Sequence, residues 1–317
     1  MTSAALLLGS PENAHLKALA EELPGVGLEP RVLDPRRFPA EGSLSVSLDR
    51  AGRARARSSL VDLDGVRVGW LSSHDAPRLA RGTAPAARRY ARAAALSGLA
   101  SLRRALGVPW VNDPDRAVRA GDKFHQLVLA HARGFRVPET LLSNEPRDLR
   151  AMARRLRSLA VKSPSGSAGL PDDTRVLTQR VGARDLADAE ALRAAPVLAQ
   201  AYVPKRTEIR ATVVGGAVHA VEIFSQETER TRVDWRRYDH RTRYERVRLP
   251  REAARRCVQV TRDAGLDYSG IDLVRTPSDD LVFLEVNSEP AWLWIEDLTG
   301  MPLTRAIARL LARRAGS

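Results

Sequence analysis

Two short apolar segments near the C-terminal end of the chain carry acidic residues where buried strands normally have none. Asp272 lies within residues 269–274, and Glu285 and Asn287 lie within residues 281–287. Side chains alternate between the faces of a strand, so Glu285 and Asn287 point to the same side. Burying a carboxylate is costly unless a positive group meets it. Two strands that direct three oxygen ligands to one side predict a magnesium site, and the alternative is a hairpin whose acids face solvent.

Lysine is rare in this basic chain. The four lysines among the 51 basic residues are Lys17, Lys123, Lys162 and Lys205. Lys162 ends the apolar segment 159–162 and precedes a Ser/Gly-rich loop, whereas Lys123 begins an apolar-periodic helix, where it opposes the helix dipole. A lysine point charge beside flexible backbone N–H groups predicts a phosphate site that is not a Walker A loop. The alternative for the loop is a disordered surface segment, and Lys17 and Lys205 receive no role.

Residues 197–205 are typical of a strand that leaves its sheet at a proline and forms a hinge between lobes. The segment contains Gln200, Tyr202 and Val203. Its backbone groups can hold an adenine, with Glu208 within reach of a ribose. Arg210 lies on the same face of the next strand as Glu208, so the two residues form either a buried ion pair or a charge clamp for a transferred phosphoryl group.

The elements that must position these residues are those of an α/β protein. Residues 4–8, 13–22 and 29–34 predict a parallel strand, helix and strand unit. Residues 44–70 predict antiparallel additions, and 78–106 predict one long helix or two, ended by Gly107 and Pro109. Further along, 137–142, 159–162 and 175–181 predict strands. Residues 197–202, 208–214 and 217–224 predict the strands that precede the two acidic segments.

An ordered set of motifs resembles the ATP-grasp ligases over nearly the whole chain. These motifs are Lys162 with its Ser/Gly loop, Gln200-Ala-Tyr202-Val203, Glu208-Ile-Arg210 followed by Val-Val-Gly-Gly, Gly270-Ile-Asp272, and Phe283-Leu-Glu285-Val-Asn287. More narrowly, three further stretches resemble the microviridin-type ribosomal peptide maturases, or graspetide macrocyclases. They are Asp234-Trp235-Arg236, Lys123-Phe-His-Gln-Leu with Val137-Pro-Glu-Thr-Leu-Leu-Ser-Asn, and Trp292-Leu-Trp294-Ile-Glu-Asp-Leu-Thr-Gly-Met-Pro-Leu.

The resemblance implies an ATP-grasp fold with an N-terminal pre-ATP-grasp domain at 1–118, a central lobe at 119–196 and a C-terminal lobe at 197–317. It implies ATP and Mg²⁺ as cofactors and a role for each motif residue. Lys123 and Lys162 would hold the phosphates, and Arg210 and Arg236 would steady the γ-phosphate and an acyl phosphate. The adenine would be framed by Gln200, Tyr202 and Val203, and the ribose would be met by Glu208. The magnesium ions would be bound by Asp272, Glu285 and Asn287. Phosphoryl transfer needs positioning and charge neutralisation, so no protein nucleophile is required.

Two departures concern the substrate. RimK-type glutamate ligases carry an arginine-containing strand end and a Phe-Arg-Ser-Asn segment where this chain has 223–226 and 234–237, which makes it more similar to the macrocyclases. The macrocyclases, however, often carry Pro-x-Gly-Gln-Trp after the magnesium Asn, whereas this chain has Ser288-Glu289-Pro290-Ala291-Trp292. The second departure leaves the peptide and the cyclising role open.

The composition limits the kinds of partner and the location that we expect for the protein. The net charge is +13, but the arginines are scattered rather than gathered in one stripe, which favours an acidic peptide over nucleic acid. No segment approaches a membrane span, so we expect a cytoplasmic protein, and the single Cys257 excludes a disulfide framework.

The expected function is an ATP-dependent ligase that phosphorylates Asp or Glu side chains of a ribosomal precursor peptide, with a leader and an acidic core, and closes ω-ester or ω-amide rings. One alternative is a RimK-like ligase that adds a free amino acid. Another is a nucleotide- or nucleic-acid-binding regulatory protein. The oligomeric state is open, with a homodimer among the alternatives.

Overall fold

The computed structural model describes residues 3–72, 76–165 and 176–316. The strands in these ranges are β1 (Ala4–Leu8), β2 (Glu29–Leu33), β3 (Leu44–Leu48), β4 (Ala54–Ser58), β5 (Val66–Leu71), β6 (Trp110–Val111), β7 (Thr140–Ser143), β8 (Leu159–Lys162), β9 (Gln179–Val181), β10 (Val197–Ala201), β11 (Thr207–Val214), β12 (Ala217–Ile223), β13 (Tyr244–Val247), β14 (Tyr268–Arg275) and β15 (Leu281–Asn287).

The α-helices in the same ranges are α1 (Ala14–Glu22), α2 (Arg88–Ala105), α3 (Pro114–Ala120), α4 (Lys123–Ala132), α5 (Pro146–Leu156), α6 (Ala189–Ala194), α7 (Arg251–Asp263), α8 (Leu293–Thr299) and α9 (Leu303–Ala315). Short 3₁₀ turns occur at Leu23–Val26, Pro35–Arg37, Pro85–Ala87, Ala183–Leu186 and Trp235–Arg237. Among the helices described, none has the length and apolarity that crossing a bilayer would require.

The chain forms two compact units. One comprises Met1–Pro114 with Ala291–Ser317, and the other comprises Asp115–Pro290. The C-terminal helices α8 and α9 thus group with the N-terminal elements. The division into lobes at 118 and 196 stays a prediction.

The first unit is built on a parallel sheet with the strand order β2-β1-β5-β6. The predicted parallel pairing of β1 with β2 is confirmed. The expectation of antiparallel additions is correct for the β3 and β4 hairpin but wrong for β5, which runs parallel to β1 and β6. Alternating apolar residues report burial of a face and carry no information on strand direction, which is why the pattern failed there.

The predicted helix from Arg78 begins ten residues later than expected. Gly82 has φ +87°, a left-handed conformation that interrupts helical backbone, and Pro85 then opens a 3₁₀ turn. Helix α2 therefore starts at Arg88 and ends at Ala105, just before Gly107 at φ +63°. The predicted C-terminal stop is confirmed, because glycine at this position takes the left-handed conformation readily.

The second unit contains two antiparallel sheets. The first has the order β7-β10-β8-β9 and packs its apolar face on α5. Helix α5 begins where Glu145 caps the backbone N–H of Arg147 and Pro146 occupies the first turn. The strand predicted at 137–142 starts only at Thr140, and of the strand predicted at 175–181 the segment Gln179–Val181 is formed. Gly166 to Arg175, which include most of the Ser/Gly loop, lie outside the described residues.

The second sheet, with the order β13-β12-β11-β14-β15, has one apolar and one polar face. On β11, Ile209, Ala211 and Val213 join the core formed with α4 and α7. Glu208 and Arg210 alternate with them and therefore lie on the opposite face. The alternation predicted for this strand is confirmed, and the polar face is the one that holds the acidic residues of β14 and β15.

Phe283 lies on β15, the last strand in the order of this sheet, and belongs to its apolar core. It is fully buried, and its ring lies 5.8 Å from that of Phe135. We expect Phe283→Ala to lower the free energy of unfolding by about 3–5 kcal/mol, because a buried phenyl group leaves a cavity. The control is Phe124→Ala, at a ring that is 45% exposed, where the loss should stay below roughly 0.5 kcal/mol. Urea unfolding of both variants measures the difference, and equal losses would contradict the core assignment.

Candidate functional site

Two buried carboxylates face each other across neighbouring strands. Asp272 on β14 pairs in register with Glu285 on β15, and Gly270 pairs with Asn287. Asp272 is 7% exposed and Glu285 6%. The Asn287 amide donates to the Gly270 carbonyl at 3.3 Å and lies 3.4 Å from the Asp272 carboxylate. The three side chains predicted as metal ligands thus lie together on one face of the sheet.

Three cations surround Glu285. Lys123 Nζ donates to its Oε2 at 2.7 Å, Lys162 Nζ lies 4.0 Å from the same oxygen, and Arg236 Nη1 lies 3.9 Å from Oε1. Burial alone would raise the pKa of Glu285, but the three cations outweigh burial and hold this pKa well below its usual value. Burial lowers the pKa of Lys162, while the Glu285 charge opposes that shift.

Asp272 binds a fourth cation. Arg210 donates from Nε to one carboxylate oxygen at 2.7 Å and from Nη2 to the other at 3.2 Å. The Arg210 guanidinium also lies 5.2 Å from the centre of the Trp235 ring. Burial raises the pKa of Asp272; Arg210 opposes this shift, and the Glu285 charge adds to it. The buried Glu208–Arg210 pair considered as the alternative is not formed, because Arg210 pairs with Asp272.

A buried glutamine positions Lys123. Gln126, one turn along α4, donates to the Ala120 and Val286 carbonyls at 2.6 and 2.9 Å and accepts from the Val286 N–H at 3.0 Å. The amide therefore ties α4 to the backbone of β15 beside Glu285. Asp122 caps the helix by accepting from the N–H groups of the first turn. Both contacts hold Lys123 over the carboxylate.

Arg236 is carried by a connecting segment, residues 225–237, which we call the strap. Asp234 in the strap accepts from the Arg236 backbone N–H, from its Nε at 2.8 Å and from its Nη2 at 2.6 Å. The same carboxylate accepts from the Thr178 N–H at 3.0 Å. Burial would raise the pKa of Asp234, but hydrogen bonds from Arg236 and Thr178 lower it overall. Asp234 thus orients Arg236 and joins the strap to the strand segment near β9.

The predicted nucleotide residues line one pocket of the second unit. The pocket is lined by the predicted residues Lys162, Gln200, Tyr202, Val203, Glu208, Arg236, Asp272 and Glu285, among others. Lys123, Arg210 and Asn287 are not among its lining residues but contact Glu285 or Asp272. The Gln200 amide donates to Thr140 Oγ1 at 3.1 Å, and the Arg180 guanidinium lies 4.3 Å from the Tyr202 ring centre.

Glu208 has one oxygen with a partner and one without. Lys205 Nζ donates to its Oε1 at 2.8 Å, and burial raises the pKa of Glu208 although Lys205 opposes that shift. Ser225 also lies close enough to Glu208 to lower its pKa, but none of the described residues makes a hydrogen bond to the buried Oε2. A buried unpaired carboxylate oxygen that lines a pocket is available to a donor from a ligand or from water.

The side chains fit a magnesium nucleotide. Two carboxylates and an amide oxygen are hard oxygen donors, and Mg²⁺ usually takes one or two carboxylates together with substrate phosphates. The described ranges contain no cluster of three His, Cys, Asp or Glu residues suited to a metal ion. The surrounding lysines and arginines supply the positive charge that a triphosphate requires.

Pro290, three residues after the end of β15, lies close to Gly270 and Arg210. Tyr268 donates its hydroxyl to the Pro290 carbonyl at 2.6 Å. A Cβ on Gly270 would come within 2.6 Å of Pro290 Cβ and 2.9 Å of Arg210 Nη1, so only glycine allows this approach. Pro290, which belongs to the segment 288–292 that departs from the macrocyclase pattern, is therefore held against the sheet by these contacts.

Sequence reasoning missed three residues of the site: Lys205, Asp234 as a positioning group, and Gln126. The scarcity of lysine that marked Lys123 and Lys162 applied equally to Lys205, which lies three residues before Glu208. For Gln126 no spacing rule was available, because its amide bonds the backbone of β15. Asp234 lies two residues before Arg236, and this local spacing is the signal that could have identified its role.

Comparisons with known proteins identify the family and the fold. The family model of the RimK-like ATP-grasp domain matches residues 120–311. A probable alpha-L-glutamate ligase 1 of Shewanella sp. (strain MR-4) is 27% identical over 213 residues, which cover 66% of this chain and 68% of that protein.

Two solved structures share the fold over nearly their whole length. One is a RiPP-associated ATP-grasp ligase of Chryseobacterium gregarium in complex with ADP and a leader and core peptide, with a TM-score of 0.88 and 22% identity over 98% of this chain and 97% of that one. The other is the macrocyclase MdnC of Microcystis aeruginosa bound with the precursor peptide MdnA, with a TM-score of 0.81 and 24% identity over 98% and 99%. The predicted ATP-grasp fold is confirmed.

The lowered pKa of Asp234 predicts that its contribution to the free energy of unfolding depends on pH. Its pKa in the folded protein lies below the ordinary value of 3.8, so the stability that it contributes is present above this pH and is lost as the pH falls below it. Asp234→Asn should lower the free energy of unfolding at pH 7 by about 1.5–3 kcal/mol. The deficit relative to the parent should shrink at pH 3 in urea titrations.

The control for this prediction is Asp279→Asn, at a carboxylate that is 60% exposed and paired with Arg206. This variant should lose at most about 1 kcal/mol at pH 7. A deficit for Asp234→Asn that is the same at both pH values would show that the carboxylate charge does not matter.

Proposed function

Because the chain belongs to the RimK-like ATP-grasp family, we propose that it is an ATP- and Mg²⁺-dependent ligase that activates side-chain carboxylates of a ribosomal precursor peptide and closes ester or amide rings. The observation that carries the proposal is the convergence of Lys123, Lys162 and Arg236 on Glu285, beside Asp272. Together with Arg210 on Asp272, four cationic side chains from distant parts of the chain are assembled on two buried carboxylates. Such a concentration of charge suits phosphoryl transfer.

The phosphate end of the nucleotide is assigned to this cluster. Lys123 and Lys162 lie near Glu285 and would neutralise the phosphates, while Asp272, Glu285 and Asn287 offer oxygen ligands for magnesium. Magnesium would supply charge neutralisation between the phosphate oxygens. The adenine is assigned to Gln200, Tyr202 and Val203 in the pocket, and the ribose to Glu208, whose Oε2 is unpaired among the described residues.

The two arginines are assigned to the transferred group. Arg236 is oriented by Asp234, and Arg210 by Asp272, so both guanidinium groups are held in place before substrate arrives. A peptide carboxylate would attack the γ-phosphorus of ATP, breaking its bond to the bridging oxygen and releasing ADP. A Ser or Thr hydroxyl or a Lys amine would then attack the acyl phosphate, lose its proton and release phosphate. The net change in the peptide is the loss of one water per ring.

A peptide substrate is supported by charge and by the neighbours. The chain carries a net charge of +13, which favours an acidic core segment. Both similar structures were solved with peptides, a leader and core peptide in one and the precursor peptide MdnA in the other. A cytoplasmic location is a further part of the proposal, and a homodimer is among the oligomeric states it allows.

A second candidate is the ligation of a free amino acid to a peptide or protein. It is favoured by the 27% identity with the probable alpha-L-glutamate ligase of Shewanella. Both candidates share the carboxylate activation step and differ only in the attacking group. Peptide mass separates them, because cyclisation removes water whereas addition of an amino acid increases the mass.

The decisive experiment is incubation of the protein with ATP, Mg²⁺ and any short acidic peptide encoded by a neighbouring open reading frame, in parallel mixtures with and without free glutamate. We expect ADP release only when both ATP and peptide are present, and the loss of one water mass per ring by mass spectrometry. A mass gain would favour the glutamate-ligase candidate, and an unchanged mass together with no ADP release would refute both.

Glu285→Gln tests the charge cluster itself. The amide keeps the shape but removes the negative charge that orders the lysines and would bind magnesium, so peptide-dependent ADP release should fall by at least about a hundredfold. The matched control is Glu252→Gln on α7, at a carboxylate that is 51% exposed, which should keep the parent rate. A Glu285→Gln enzyme with more than a tenth of the parent rate would remove Glu285 from the mechanism.

A further inference from the structure

Lys205 is a buried cation that the proposed chemistry does not use. Its side chain is 7% exposed, and its ammonium group makes two hydrogen bonds. One goes to Glu208 Oε1 at 2.8 Å, and the other goes to the Val233 carbonyl at 2.9 Å. Burying an ammonium group is costly, so a lysine at this position needs both partners.

The composition makes this lysine unusual. Only four of the 51 basic residues are lysine, and two of the other three, Lys123 and Lys162, contact Glu285 at the site. Lysine carries a compact point charge on a flexible stem, whereas the planar guanidinium group requires several acceptors arranged around a fork. Lys205 meets one carboxylate oxygen and one carbonyl oxygen, which an ammonium group can bridge.

The first contact fixes the orientation of Glu208. Because Lys205 occupies Oε1, the carboxylate cannot turn freely, and Oε2 is left for a ligand in the pocket that both residues line. Ser225, the first residue of the strap, is close to Glu208 and lowers its pKa, yet none of the described residues makes a hydrogen bond to Oε2. A pair of ribose hydroxyl groups is the donor that the proposed nucleotide would bring to this oxygen.

The second contact holds the strap. Val233 directly precedes Asp234, which orients Arg236, so the Lys205 bond ends one residue before the group that positions the arginine. The other end of the strap is held internally, since Thr231 Oγ1 donates to the Ser225 carbonyl at 2.7 Å and pairs with Thr228 at 2.8 Å. Lys205 is thus the direct link between the Glu208 carboxylate and the Arg236 end of the strap.

We propose that Lys205 is a positioning residue that couples recognition of the ribose hydroxyls by Glu208 to the placement of the strap and its Arg236. The inference rests on the proposed nucleotide function. When ribose donors bind Oε2, the carboxylate is held on both sides, Lys205 is held in turn, and the Val233 carbonyl is fixed. A nucleotide without ribose hydroxyls makes no such bond and leaves the strap less restrained.

Binding measurements test the first half of the coupling. ADP and its dideoxy analogue, which lacks both ribose hydroxyls, are titrated with Mg²⁺ into the full-length protein by calorimetry. The parent should bind ADP about 10- to 100-fold more tightly than the analogue, as expected for hydrogen bonds to a charged group. Lys205→Met should reduce this preference to within about threefold, and so should Glu208→Gln. The double variant should show no further reduction, because Lys205 acts through Glu208.

The control variant is Lys17→Met, at an exposed lysine on α1, which should keep the parent preference. A Lys205→Met protein that weakens the binding of both nucleotides equally, or that keeps the parent preference, would overturn the proposal. Circular dichroism and a thermal melt establish that each variant is folded before it is titrated.

A measurement on the unaltered protein tests the second half and needs no variant. Hydrogen exchange is compared at saturation with ADP and with the dideoxy analogue. ADP should slow amide exchange in peptides covering 225–237 at least about threefold more than the analogue does. Equal protection of the strap by both nucleotides would overturn the coupling. Failure of the parent to bind ADP at all would instead refute the nucleotide function on which the inference rests.

Discussion

The site depends on one electrostatic constraint: two carboxylates are buried opposite each other on adjacent strands. Asp272 and Glu285 would repel each other if nothing positive reached them, and neither is accessible enough for water to screen the repulsion. The sheet can therefore keep both acids only if cations arrive from elsewhere in the chain. Arg210 comes from the neighbouring strand, Lys123 from a helix, and Lys162 from another sheet of the same unit. Charge thus joins the two sheets of this unit.

These contacts join residues that are far apart in the chain. Lys123 meets Glu285 across 162 residues, and Arg210 meets Asp272 across 62. Non-local contacts form only after the costly closure of long loops, so the complete cluster requires both sheets of the unit to be in place. The ion pairs are weak evidence for stability, because desolvation offsets much of their attraction. Their value lies in holding charged groups in one arrangement before a ligand arrives, which lowers the cost of ordering them on binding.

Much of this architecture could be predicted from the sequence, and the failures have physical causes. Period-two alternation identified the polar face of β11 and the shared side of Glu285 and Asn287, because strand geometry is local. The direction of β5 and the start of α2 were wrong, because burial alone does not encode strand direction and Gly82 with Pro85 outweighed helix-forming neighbours. The partner of Arg210 could not be predicted, since Asp272 becomes its neighbour only through strand pairing. Lys205 was overlooked although its rarity was visible, because its two acceptors lie on separate elements.

Gly270 marks the point at which the chain after β15 is held against the sheet. A side chain larger than hydrogen at position 270 would clash with the Pro290 ring and with Arg210, so Pro290 packs directly against β14. The Tyr268 hydroxyl donates to the Pro290 carbonyl and holds the same residue. Changes in the sequence beyond this anchor need not displace Asn287 or the acids behind it. The position of the acidic pair is therefore independent of the segment that follows Pro290.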